Sequence, residues 1–291
     1  MIEVKNLPQG QHLDIELLDR GMEPQSLSPH RHEYYEMFWT LEGKGSHSVD
    51  FIEYPLQPGL IYCIPPGQVH HCRDLPHKLY AISFDGSFLN SDHRTQQDLK
   101  QLFRPDPTHN PPLQIDNPGR QELLQLITIM NNELGTVEPD NSLLSILLAA
   151  FIRYLTRYQN SSEDGPHFSD ERITKLLALI EEQHMNHKDA GYYSEQLSLT
   201  SKRVNELTRL YLSKTVTQLI HDRIILEARR ELAFTHKTIK AISLDLGYAD
   251  TAYFCRFFRN QTGESPRTFR NRWQYGCKTA PAQVRLQNCT K

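Results

Sequence analysis

Three histidines and one glutamate in the first quarter of the chain have the spacing of a metal or ligand site. His30, His32 and Glu36 form the pattern His-x-His-x3-Glu, and His70 follows the turn sequence Pro65-Pro66-Gly67. Alternate residues of a strand point the same way, so His30 and His32 share a face, and His70 can arrive from a partner strand. Three imidazoles and a carboxylate can bind a first-row divalent metal.

A second set of residues, in the last third of the chain, could bind DNA. Residues 199–209 align with residues 249–259 at an offset of 50, and each copy is predicted to be a helix, a tight turn and a second helix. Gly247 suits a left-handed turn and Asp250 can cap the helix after it. If Val204, Leu207, Phe254, Phe257 and Phe258 pack inward, two polar stripes face outward: Ser201, Lys202, Asn205, Glu206 and Arg209, and Thr251, Ala252, Cys255, Arg256 and Arg259.

The charge distribution favours nucleic acid as the partner of these stripes. Residues 201–291 hold 17 Lys/Arg and 7 Asp/Glu, a net of +10, whereas residues 1–200 hold 15 and 28, a net of −13. A helix fits the major groove, where Arg, Asn, Ser or Thr can bond base edges while Lys and Arg hold phosphates. Two such helices on one unit predict contacts in successive major grooves of double-stranded DNA, about 10 base pairs apart.

The C-terminal part resembles the AraC/XylS family of bacterial transcription regulators over about residues 170–272. The resemblance is carried by Thr238-Ile239-Lys240-Ala241-Ile242-Ser243, Leu246-Gly247-Tyr248, residues 253–259, Gly263, Pro266 and Phe269-Arg270. It implies control of transcription from promoter DNA, usually activation, with RNA polymerase as a partner. The first copy departs from the pattern: Ser198 and Ser213 stand where glycine is usual, and Glu206 stands where a basic residue is common. Glu206 can accept from a cytosine amino group or pair with a neighbour.

The histidine spacings resemble the two motifs of the cupin barrels, with Pro24 where a glycine is usual. Three interpretations of the constellation stay open. The favoured one is an effector pocket formed by His30, His32, Glu36, Trp39, Tyr62 and His70, suited to an aromatic or anionic compound or a sugar. The alternative is a metal-dependent cupin enzyme with a basic interaction module. In the third interpretation these residues make structural hydrogen bonds or hold a metal without catalysis. We expect no catalytic residues and no required cofactor; a divalent metal could occupy His30, His32, Glu36 and His70.

The surrounding sequence predicts an α+β protein of two domains. Short aromatic and β-branched runs between turns, such as residues 35–41, 60–64 and 79–84, predict a cupin-like β-barrel. Helices at 120–134 and 141–158 follow, and the second is apolar on more than one face. It therefore needs burial on two sides, supplied either by the barrel together with a homodimer partner or by core packing alone. We predict an effector-binding and dimerisation domain at 1–158, a linker at 159–168, an all-α domain with two helix-turn-helix units at 169–275, and a disordered tail at 276–291.

Composition bounds the class of protein. The chain has 291 residues, of which 38% are hydrophobic, so it can bury a core. The sequence has neither a stretch of about 20 apolar residues nor an apolar signal region at its start, which predicts a cytoplasmic protein without a membrane partner. Its five cysteines are scattered, so reduced thiols are expected.

Overall fold

A computed structural model describes residues 2–19, 28–89, 93–103, 112–161 and 170–274. The chain divides into two compact units, Glu3–His167 and Phe168–Lys291. Residues 159–161 of the predicted linker continue a helix, whereas its remainder and the predicted tail at 276–291 lie outside the described residues. Among the described helices, none is long and apolar enough to cross a membrane.

In the described part of the first unit the strands form two sheets of five strands each, where the apolar runs predicted a β-barrel. In spatial order the first sheet consists of β1 (Glu3–Lys5), β3 (His30–His32), β8 (His70–Asp74), β5 (Gly45–Val49) and β6 (Ile52–Leu56). The second consists of β10 (Leu113–Gln114), β7 (Leu60–Ile64), β4 (Tyr35–Glu42), β9 (Lys78–Phe84) and β2 (Leu13–Asp19). The described pairs are antiparallel except β1 with β3.

Strand β4 is apolar on both faces because it separates two cores. Successive side chains of a strand point to opposite faces, so Phe38 packs in one core with Leu56, Tyr62 and Cys72, which come from strands of both sheets. Met37 and Trp39 pack in the other core, against helices α1 (His93–Leu102), α2 (Asn117–Leu134) and α3 (Asn141–Ser161). A short 3-10 helix, Gly86–Leu89, precedes α1.

The second unit is helical throughout its described part. It contains α4 (Glu171–Gln183), α5 (Ala190–Gln196), α6 (Ser201–Leu212), α7 (Val216–Phe234), α8 (Ile239–Asp245), α9 (Thr251–Thr262) and α10 (Pro266–Gln274). The pairs α5–α6 and α8–α9 are the two predicted helix-turn-helix units. Between them α7 buries Ile224, Ile225, Ala228 and Leu232, which recur at helical spacing on one face. Asp170 caps α4 by accepting a hydrogen bond from the Arg172 amide.

The repeat extends to backbone conformation. Gly247 has φ +73° and Gly263 has φ +81°, and the matched serines of the first copy, Ser198 and Ser213, both have φ +55°. All four therefore occupy the left-handed region, which costs a residue with a Cβ about 1–2 kcal/mol. Asp250 accepts from the Ala252 amide at 2.8 Å, so the predicted cap of α9 is confirmed.

Candidate functional site

Four histidines from the first sheet face one glutamate from the second. His30 and His32 lie on β3, His47 on β5 and His70 on β8, while Glu36 lies on β4. Strands β3 and β8 pair with His30 opposite His70, so His70 comes from a partner strand of β3. The histidines are 0–1% exposed and Glu36 is 6% exposed, so this histidine cluster is closed to solvent.

Backbone carbonyls fix the tautomers of two of these histidines. Nδ1 of His30 lies 2.9 Å from the carbonyl oxygen of Ser28, and Nδ1 of His32 lies 2.6 Å from that of Tyr34. A carbonyl can only accept, so each Nδ1 carries the hydrogen and donates it. In the neutral rings the Nε2 atoms are therefore bare lone pairs.

The inner atoms of the histidine cluster converge without hydrogen bonds among themselves. Oε2 of Glu36 lies 3.4 Å from Nε2 of His32 and 3.4 Å from Nε2 of His70, and these three buried atoms have no hydrogen-bond partner. The other carboxylate oxygen of Glu36 accepts from the Ser83 hydroxyl at 3.2 Å. Nδ1 of His70 lies 3.1 Å from Nε2 of His47.

Burial controls the charge of the histidine cluster. It lowers the pKa of His30 and of His70, and it lowers the pKa of His47 to about 3, with smaller contributions from neighbouring imidazoles. These rings are neutral near pH 7. The cluster therefore offers electron pairs beside a carboxylate, a poor environment for the anionic effector that the sequence admitted.

The two aromatic residues expected in the effector pocket have different positions. Trp39 is three positions from Glu36 on β4, so it points to the opposite face and packs near Phe151 of α3. The expectation that Trp39 joins the histidines is therefore wrong. Tyr62 does lie on the inner side, edge-on to His47, but its hydroxyl donates to the carbonyl of Pro55. Sequence reasoning missed His47, although its alternation with Val49 placed it on an inward face.

The five stripe residues of α6 line one shallow concavity of about 450 Å³, together with Thr215 and Thr217 at the start of α7. Ser201, Lys202 and Arg209 are exposed. The amide of Asn205 is engaged inside the protein: it donates to the Ser201 carbonyl at 2.8 Å and accepts from the Val216 amide at 3.1 Å.

Glu206, the acidic residue on the α6 stripe, pairs with Arg203. Their charged atoms are 3.0 Å apart and both side chains are about half exposed. Of the two alternatives left open for Glu206, the structure displays the pairing with a neighbour. Arg203 was not among the predicted site residues, and its place one turn from Glu206 is the signal that could have identified it.

The stripe of α9 is divided between exposed and engaged side chains. Ala252, Arg256 and Arg259 are exposed, whereas the hydroxyl of Thr251 lies 3.0 Å from that of Ser243. Cys255 is half-buried, and burial raises the pKa of its thiol, which argues against a reactive thiolate.

Two aromatic residues of α9 depart from the expected arrangement. Phe257, predicted to face the core, is half-buried against the rings of His221 and Tyr248. Tyr253 is 55% exposed beside Ala252 and was not among the predicted site residues.

Polar contacts connect the two helix-turn-helix units inside the second unit. Nζ of Lys188, just before α5, donates to the carbonyls of Met185 at 2.6 Å and of Gly247 at 3.1 Å. Gly247 lies in the turn between α8 and α9, so this lysine joins the start of one copy to the turn of the other.

A buried network of charges holds α7 against α4. Arg223 of α7 makes two bonds of 2.6 Å to Glu181 of α4, and Glu227 accepts from both Arg223 and Arg230 at 3.0 Å. Burial raises the pKa of Glu227, but the two guanidinium groups outweigh it and bring that pKa to about 2.

Comparisons with known proteins match both units. The AraC-like ligand binding domain matches residues 12–177, more than half of the chain, and a helix-turn-helix domain matches residues 193–272. Among curated relatives, the HTH-type transcriptional activator RhaS of Escherichia fergusonii is 24% identical over 264 residues, covering 85% of this chain and 89% of that protein. The arabinose operon regulatory protein of Escherichia coli strain K12 is 25% identical over 260 residues, covering 81% and 80%.

Among solved structures, unsaturated fatty acid bound wild-type ToxT from Vibrio cholerae is 12% identical with a TM-score of 0.44, covering 93% of this chain and 99% of that one.

Proposed function

We propose, on the premise that this chain belongs to the AraC family of transcription regulators, that it reads promoter DNA through α6 and α9. The chain combines a ligand-binding domain with a helix-turn-helix DNA-binding domain, so it is a ligand-responsive transcription regulator. One observation supports the assignment of the two helices: α6 and α9 are each the second helix of their helix-turn-helix unit, and each leaves cationic side chains exposed.

The exposed residues divide into two roles. Arg256 lies in the second turn of α9, where a guanidinium can reach the edge of a guanine. Arg209 and Arg259 are exposed at matched positions near the ends of their helices, where they suit phosphate contacts that set the register on the duplex. Ser201 and Lys202 begin the corresponding surface of α6.

The test compares arginines on and off the reading surface. We expect Arg256→Ala to weaken binding to a site selected from random duplexes by about 1–3 kcal/mol and to relax specificity at one base pair. Arg209→Ala should weaken all sequences alike and reduce the salt slope by about one. Arg267→Ala, which removes an exposed arginine from α10, is the matched control. Fluorescence anisotropy measures all three; equal losses for Arg256→Ala and Arg267→Ala would refute the assignment of α9.

We further propose that the protein activates transcription by recruiting RNA polymerase. The printed name of the Escherichia fergusonii relative, a transcriptional activator, supports this direction of control. A promoter carrying the selected site and fused to a reporter gene should lose expression in the deletion strain. Expression that instead rises in that strain contradicts activation.

A homodimer through α3 forms the next part of the proposal. Leu144, Leu148 and Phe151 are buried in the unit, while Ile146 is 64% exposed and Leu143 is 40% exposed on the other side of the helix. A second copy would cover this apolar side. Sedimentation equilibrium should show a dimer that Ile146→Glu dissociates, and an unchanged dimer in that variant places the interface elsewhere.

The first unit is proposed to act as a sensor and not as an enzyme, because the matched relatives are regulators. The name of one of them refers to the arabinose operon, so sugars are the first class of effector to screen, followed by aromatic compounds. A compound that binds the folded state raises its melting temperature. Such a compound should also change the affinity of the full chain for its DNA site, whereas one that is chemically converted would support the enzyme alternative.

A further inference from the structure

We propose that Lys188 is a positioning residue that fixes the spacing of α6 and α9. It would thereby set how many base pairs separate the two DNA segments that these helices read, the half-sites. This inference rests on the proposed function, because it concerns how the two helices are held on one duplex. Lys188 belongs to neither helix and lies in the loop between α4 and α5.

The loop that carries Lys188 is fixed to the first helix-turn-helix unit. Asp189 caps α5 by accepting from the Tyr192 amide at 3.2 Å. The buried Tyr193 of α5 donates from its hydroxyl to the carbonyl oxygen of His187 at 2.8 Å. Lys188 therefore stands between two residues that are bound to α5, so its backbone moves with this unit.

The side chain of Lys188 ends on the second helix-turn-helix unit. An ammonium group has three N–H donors. Nζ donates to the carbonyl oxygens of Met185 at 2.6 Å and of Gly247 at 3.1 Å, and it lies 4.8 Å from the centroid of the Tyr248 ring. Gly247 and Tyr248 both belong to the segment between α8 and α9, so two of the three groups around the ammonium are in the second copy.

The lack of a side chain at Gly247 permits this approach. A Cβ at this position would lie 2.3 Å from the carbonyl oxygen of Met185 and 2.6 Å from Nζ of Lys188. The backbone of the turn therefore packs directly on the loop, with no side chain between them. Because packed groups transmit displacement, a shift of one unit against the other would strain this contact.

Tyr248 connects the contact to α9. This tyrosine is 7% exposed, and its ring centroid lies 5.4 Å from that of Phe254 and 5.5 Å from that of Phe257, both on α9. The covalent connection between the two copies runs through α7, whose 19 residues span about 28 Å. Lys188 therefore adds a direct attachment between the copies beside the one through α7.

A further attachment matters because the two helices must match the helical repeat of DNA. One added base pair moves the half-sites apart by about 3.4 Å and rotates them by roughly 35° about the duplex axis. Two units joined through α7 alone can follow that change by pivoting, whereas an added attachment resists it. A hydrogen bond to a charged group shifts an equilibrium by about tenfold or more, so loss of the Lys188 contacts should relax the spacing measurably.

Binding to duplexes of altered spacing tests this role. Starting from the selected site, one duplex gains a base pair between the half-sites and another loses one, and fluorescence anisotropy of the full chain gives the dissociation constant of each. Lys188→Met keeps an apolar stem but cannot donate, so we expect it to reduce the preference for the original spacing by about tenfold. Lys175→Met removes an exposed lysine of α4 and is the matched control, which should keep the preference.

The spacing preference separates this role from a phosphate contact. Removal of a lysine that binds a phosphate would weaken all three duplexes alike and lower the salt slope by about one. That result would overturn the proposal, as would an unaltered protein that binds the three duplexes equally. No binding of the unaltered protein to any duplex would instead contradict the proposed reading of DNA, and this inference with it.

Circular dichroism checks that Lys188→Met is folded. If it is not, the reactivity of lysine amines in the unaltered full chain decides, with acetic anhydride as the reagent and mass spectrometry as the readout. We expect Nζ of Lys188 to react more slowly than Nζ of Lys214, a half-buried lysine whose Nζ pairs with Asp222 at 2.8 Å. Equal rates would refute the contact of Lys188 with the turn.

Discussion

Two glycines with the same backbone conformation should respond differently to an added methyl group. Gly247 and Gly263 have φ values of +73° and +81°. Gly247 follows α8, the first helix of the second helix-turn-helix unit, and Gly263 follows α9, its second helix. A Cβ on Gly263 would meet nothing within 4 Å. A Cβ on Gly247 would lie 2.3 Å from the carbonyl oxygen of Met185 and 2.6 Å from Nζ of Lys188. The pair therefore separates backbone strain from steric overlap.

The expected losses follow from these contacts. A Cβ in the left-handed region costs about 1–2 kcal/mol, and Gly→Ala returns about 0.4–1 kcal/mol by restricting the unfolded chain. Gly263→Ala should therefore lower the free energy of unfolding by about 1 kcal/mol. At Gly247 the lysine can move but the Met185 carbonyl is backbone, so overpacking adds about 1–3 kcal/mol. Gly247→Ala should then lose about 2–4 kcal/mol.

Urea unfolding followed by tryptophan fluorescence measures both losses. The chain has two tryptophans, Trp39 in the first unit and Trp273 in the second, so a Trp39→Phe background leaves a reporter in the unit of interest. The overlap also displaces the contact of Lys188 with the turn, so Gly247→Ala should weaken DNA binding more than Gly263→Ala. Equal losses of stability in the two variants would refute the steric argument.

Three further outcomes are expected. The pKa of Glu227 is about 2 when folded and 4.5 ordinarily, so its stabilisation is complete above pH 4.5 and is lost as the pH falls toward 2. Urea unfolding at a series of pH values measures the difference in free energy of unfolding between the unaltered protein and Glu227→Gln. This difference should shrink by about 3 kcal/mol across that range, and a difference that stays constant with pH contradicts the lowered pKa. Ser213→Gly should raise the free energy of unfolding by up to about 1 kcal/mol, because φ +55° disfavours a Cβ, and a loss would show that the hydroxyl matters more. Glu206→Gln removes a carboxylate paired with Arg203 and should steepen the salt dependence of DNA binding by about one, whereas weaker binding at the selected site alone would assign Glu206 to a cytosine.

Local patterns were sufficient to predict several elements of the first unit and the helical class of the second. Strand β7 has the predicted bounds, and β4 and β9 each differ from them by one residue. Helix α3 runs three residues past its predicted end at 158, into the predicted linker. The polar composition of residues 159–161 favoured a connector, but it does not prevent another turn of a helix that is already anchored by a buried face.

Those parts of the sites that depend on periodicity along the chain were predictable. The repeat of two placed His30 and His32 on one face, and the offset of 50 placed the matched arginines of α6 and α9. Because Trp39 is three positions from Glu36 on β4, the same repeat of two places Trp39 on the opposite face. Sequence reasoning grouped Trp39 with the histidines because an aromatic side chain suits an effector pocket. His47 joins the cluster only through the pairing of β5 with β8, which spacing along the chain does not reveal.

The two helices proposed to read DNA, α6 and α9, are alike in backbone conformation and unlike in the side chains that they leave available. On α6, Asn205 bonds the start of α7 and Glu206 pairs with Arg203, so both are engaged within the protein. On α9 the residue matched to Glu206 is Arg256, which is exposed. A side chain that already bonds its own protein must break that bond before it can bond a base, which reduces the net gain in binding. Base discrimination should therefore rest more on α9, while α6 contributes more to the position on the duplex.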